Sequence, residues 1–66
     1  MSMLKVIEVL AESKKSWDDA AQVAVNTAAK SVRNIRSINM ENMSAQVAKG
    51  RIVNYRIIAK IAFELE

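Results

Sequence analysis

Residues 51–66 read RIVNYRIIAKIAFELE. Val53, Tyr55, Ile57, Ala59, Ile61, Phe63 and Leu65 occupy every second position. Successive side chains of a strand point to opposite faces, so these residues share one face, and that face belongs in a core. The alternate positions carry Asn54, Arg56, Lys60 and Glu64, interrupted by Ile52, Ile58 and Ala62. The last strand of a small protein ordinarily has one wet side, and this one is too apolar there. Whatever covers the second face decides the architecture.

Size makes the question sharper. The chain has 66 residues, which allows one domain spanning 1–66. A domain of that length buries only about 60% of its unfolded surface and is marginal unless something staples it. The composition holds no cysteine and no histidine. That removes disulfides, thiolate metal sites and the commonest general base. Oligomerisation is the staple left.

The net charge is +3 and the basic residues are scattered. A nucleic-acid binder would more often show a basic stripe with exposed aromatics, so no nucleic-acid partner is expected. The opening MSMLKVIEVLAES carries Lys5, Glu8 and Glu12 inside its apolar run, unlike a secretory signal. No run of about 18 apolar residues exists, so no membrane partner is expected either. A cytoplasmic location is the expectation.

Residues 3–12, MLKVIEVLAE, predict a first strand, with apolar residues on both faces and therefore cover on both sides. SKKSWDDAA then opens a helix. Ser13 or Ser16 can cap its free N–H groups, and Asp18 and Asp19 suit the positive end of its dipole. The helix is predicted to run to about Asn34, burying Trp17, Ala20, Ala21, Ala24, Val25, Ala28, Val32 and Ile35. A stripe so rich in alanine predicts a close helix–sheet contact. Trp17 reads as a hydrophobic cover at the helix end.

Residues 37–48 predict a second strand whose apolar parity switches between Ile38–Met40 and Met43–Ala45–Val47. A bulge near Glu41–Asn42 would re-phase it. AKGR then makes a tight turn, with Gly50 free to take positive φ. The order is β-α-β-β, an α+β fold. A right-handed crossover makes the first two strands parallel, and the third slots between them to give an all-antiparallel sheet. One helix covers one face. Nothing remains in the chain for the other, so further copies of the chain are expected to cover it.

KVIEVLAES, SWDDAAQVAVNTAAKSVRN and RIVNYRIIAKIAFELE, in this order and at these lengths, resemble the dodecins. The resemblance spans about residues 4–66. It implies a hollow homododecamer and a flavin site for FMN, riboflavin or FAD. In flavin-binding members a tryptophan opens the second strand and stacks on the isoalloxazine, and a glutamine on the third strand bonds its polar edge. Those positions fall here on Ser37 and Arg56. Serine offers no plane, and stacking is worth about 1–3 kcal/mol per ring. Arginine brings positive charge and no acceptor. Flavin binding is therefore expected to be weak or lost. The alternative for Arg56 is a salt bridge to Glu41 or Glu64.

A subgroup of the family without that tryptophan is linked to calcium, and this chain resembles it. Glu8, Glu12, Glu41, Glu64 and Glu66 could supply the oxygens such an ion needs where symmetry gathers several copies. No stretch has the spacing of an EF-hand loop. Catalysis is not expected: the serines have no histidine to activate them, and no glycine-rich phosphate loop is present. The reading is a small-ligand binding and storage shell, with a structural or calcium-binding shell as the alternative.

Overall fold

A computed structural model describes residues 3–65. The elements are β1 (Leu4–Ser13), α1 (Trp17–Ala28), β2 (Ile35–Ala48) and β3 (Arg51–Glu64). The sheet order is β1-β3-β2 with both pairs antiparallel, as the sequence predicts. β3 is central because its odd residues supply the longest apolar row. Ile57, Ala59, Ile61 and Phe63 are buried, Ile57 and Ala59 in one cluster with Ala20 of α1. Tyr55 is half-buried, whereas Val53 and Leu65, expected on the same face, are exposed. Leu65 lies beyond the strand, and Val53 sits at a bulge that breaks the alternation.

Ser16 is the N-cap of α1, its Oγ accepting from the Asp19 N–H at 2.9 Å. Ser13 is buried and donates instead to Asp19 Oδ2 at 2.6 Å, tying the end of β1 to the first turn. Ala20 and Ala24 are buried against the sheet, which is the close contact that small side chains permit. Trp17 meets Tyr55 edge-on at 4.8 Å, and its Nε1 donates to the Ser44 carbonyl at 2.9 Å. It therefore ties the helix start to both β2 and β3.

The helix ends at Ala28, not near Asn34. The Val32 N–H still reaches the Ala28 carbonyl, but Asn34 then turns to φ 62° and redirects the chain. Asparagine tolerates that left-handed backbone better than most residues. The early stop lets Ile35 enter the sheet opposite Phe63, so β2 starts two residues before the predicted Ser37. Val32 and Ile35 are half-buried from the loop and the strand, not from a helical stripe.

Glu41 is the extra residue between the pairs Met40–Ala59 and Asn42–Ile58, so the predicted bulge is present. Two more occur, at Arg36 and at Val53. The β2–β3 turn places Lys49 at φ 53° and Gly50 at φ 76°. Two successive left-handed residues match the twist of the flanking strands.

Within one chain β1 is covered on one face only. Ile7, Val9 and Ala11 turn toward α1, and Leu4, Val6 and Leu10 are exposed on the opposite side.

Candidate functional site

The face of the sheet away from α1 is built in rows, because directly opposed residues of antiparallel strands share a face. Glu12, Arg56 and Ser44 form one row. Leu10, Ile58 and Asn42 form the next, followed by Glu8, Lys60 and Asn39, then Val6, Ala62 and Ser37, and finally Leu4 with Glu64. Charged and apolar rows alternate along the strands. The even-numbered residues that spoil the polar side of β3 in the sequence are the apolar rows.

Arg56 is held by Glu12. Its Nη2 lies 2.6 Å from Glu12 Oε1, and its Nε donates to the same oxygen at 2.8 Å. This corrects the expected partners Glu41 and Glu64. Glu41 approaches Lys60 at 3.8 Å, and Glu64 pairs with Arg36. The reason is register: Glu12 faces Arg56 directly across β1–β3, whereas Glu41 is displaced by its bulge. No turn joins β1 to β3, so the sequence carried no signal from which this register could be counted.

Ser37 and Arg56 both lie on this face, but six residues of β3 separate their rows, about 20 Å at the usual rise per residue. One chain does not bring them together. Trp17 is on the helix side, so it does not replace an aromatic plane at Ser37. Of the carboxylates considered for an ion, Glu12, Glu41 and Glu64 are engaged by cations and Glu8 lies opposite Lys60. Among the described residues no three acidic side chains gather at one point. Glu66 lies outside the described residues.

The hydrogen bond from Arg56 holds the Glu12 carboxyl below its usual range, with a smaller contribution from Asn54. A depressed carboxyl pKa adds stability above the unfolded value, lost as pH falls through the folded one. Wild-type melting is expected to drop as pH falls below the ordinary glutamate value of 4.5. Glu12→Gln, measured by circular dichroism melts across that range, should lose part of this acid sensitivity.

The dodecin family model matches residues 3–66. The chain belongs to the dodecin family. A curated relative, the calcium dodecin of Mycobacterium tuberculosis, is 34% identical over 65 residues, covering 98% of this chain and 92% of that one. A crystal structure described as that organism's calcium dodecin with a novel calcium-binding site is 35% identical, with a TM-score of 0.82, covering 98% and 93%. The Streptomyces coelicolor dodecin matches with a TM-score of 0.91 at 25% identity, covering 98% and 93%. A structure of a Thermus thermophilus dodecin point mutant reaches 0.93 at 20% identity, covering 100% and 97%, which shows the shared fold. The β1-β3-β2 sheet with one helix is thus a dodecin fold.

Proposed function

We propose that this dodecin is one subunit of a closed homo-oligomeric shell, of twelve copies by its resemblance, whose task is to bind and store a small ligand in the cytoplasm. Each chain forms a single domain over residues 1–66, and catalysis is no part of the role. The observation that carries this reading is the uncovered sheet face, with Leu4, Val6 and Leu10 exposed along β1. Apolar rows left bare between charged ones on an unpartnered sheet face suit an interface between copies. The site is shared between copies: Ser37 of one and Arg56 of another contribute to it, because one chain holds them too far apart.

The ligand is not held as flavin is held in the tryptophan-bearing members. No aromatic plane stands at Ser37, and Arg56 enters with Glu12 as an ion pair. Ser37→Trp is expected to raise flavin affinity about tenfold or more, since each stacked ring adds about 1–3 kcal/mol and 1.4 kcal/mol is a factor of ten. Quenching of riboflavin fluorescence measures it. Light scattering on the same samples measures the particle. Wild-type protein that quenches riboflavin at nanomolar concentration would overturn the diverged site, and a monomeric mass would overturn the shell.

A second reading is a calcium-binding shell, favoured by the 34% identity to the protein named calcium dodecin. Calcium prefers six to eight oxygens, so carboxylates of several copies would have to converge. Glu12, Glu41 and Glu64 would each leave a cation to do so. Calorimetric titration with calcium chloride, beside riboflavin, separates the two readings.

A further inference from the structure

Met40 and Met43 stand an odd number of residues apart on β2. On a regular strand that spacing would send them to opposite faces. The extra residue Glu41 re-phases the strand, so Met40 lies across from Ala59 and Met43 across from Ile57. Ala59 and Ile57 turn to the α1 side, where they cluster with Ala20. The bulge therefore brings both thioethers to one side of the sheet, in neighbouring rows about 7 Å apart at the usual rise of a strand.

The two methionines do not serve as core filling. Their row partners are fully buried, but Met40 is 40% and Met43 56% exposed, because α1 packs mainly on β1 and β3. A methionine side chain turns about three bonds and carries a polarisable sulfur, so two sulfurs in adjacent rows can reach one point without moving the backbone. Trp17 comes to the same spot. Its Nε1 donates to the carbonyl of Ser44, the residue after Met43, and it packs against the cluster that holds Ile57. An indole ring attracts a cation placed over it.

The chemistry of this donor set is selective. Thioethers are soft and uncharged and favour copper(I), whereas calcium and magnesium demand oxygen. The chain holds no cysteine or histidine to draw such an ion elsewhere. Arg56 and Lys60 project from the opposite face of β3, so the cations of that strand do not repel it.

We infer that Met40 and Met43, with Trp17 beside them, form a binding site for copper(I). All three residues belong to one chain and lie on the face opposite Ser37 and Arg56. The site is thus independent of the shell and of the ligand proposed for it.

Anaerobic titration with tetrakis(acetonitrile)copper(I), followed through the emission of Trp17, tests this, since the chain has one tryptophan. The expected result is quenching that saturates at one ion per chain, with equilibrium dialysis giving the same ratio. Methionine to leucine conserves volume, so the fold survives the substitution. Met40→Leu and Met43→Leu should each weaken binding about tenfold or more, since losing even an outer partner of a metal ligand costs about 10–100-fold. Met3→Leu is the control. Met3 lies six residues before Val9, which faces Ala59, about 20 Å along the sheet, and its loss should change nothing. Unaltered binding by the Met40→Leu/Met43→Leu double variant would overturn the site. So would wild-type protein that retains no copper on dialysis, or binding that is lost with Met3→Leu instead.

Discussion

Ile57→Ala is expected to cost about 2–5 kcal/mol, because it removes a fully buried side chain and leaves a cavity. Ile57 is one of the two largest side chains with no exposure at all, and it touches the core cluster with Ala20 and Ala59. Domains of this size hold only about 3–10 kcal/mol in total at typical stability per residue. The alanines of α1 are already as small as a side chain with a Cβ can be, and the helix cannot settle further to refill the space. Thermal or urea unfolding would show it, with the melting temperature down by about 10 °C or more. A drop of only a degree or two would mean that the core lies elsewhere, and the packing of α1 on β3 would need to be redrawn.

That prediction concerns the part of the molecule the sequence shows most openly. Apolar alternation from Tyr55 to Phe63 and the alanine stripe from Ala20 to Ala24 give the layer order, since few other pairings bury both. The parity switch between Met40 and Met43 betrays the Glu41 bulge, because a regular strand cannot present both sets to one side. The bulges at Arg36 and Val53 leave no such trace. Arg36 lies at a strand start with no apolar pattern before it, and Val53 is apolar on either phase. The helix end is hidden for a similar reason: Ala29, Lys30 and Ser31 are all acceptable in a helix, and the stop comes from the Asn34 reversal that lets Ile35 reach Phe63.

The site was legible as a face and not as partners. The apolar even positions of β3 and the double-sided first strand both announce a surface that one helix leaves bare. The partner of Arg56 depends on strand register, and a one-residue slip exchanges the faces of every side chain. Glu12 could be placed opposite Arg56 only by counting both strands from a common turn, and no turn joins β1 to β3. Where two copies meet has still less local signature.

Val6→Lys tests the bare face most directly, because the two states of the position predict different outcomes. In one chain Val6 is 54% exposed and faces Ala62, so lysine there should change stability by no more than about 0.5 kcal/mol. In a shell the same side chain is covered by a neighbour, and an unpaired ammonium must be desolvated at every symmetry-related copy. Each such burial costs several kcal/mol. The expected result is loss of the particle mass by light scattering at a concentration where wild type is fully assembled, whereas Val6→Ile keeps it. Val6 lies outside the β1–α1 groove, so the outcome reports on the bare face alone. A Val6→Lys particle of unchanged mass would show that this row of the sheet stays wet in the assembly. The copies would then have to meet elsewhere on the chain, as through the row Leu10–Ile58, leaving Val6, Ala62 and Ser37 facing solvent.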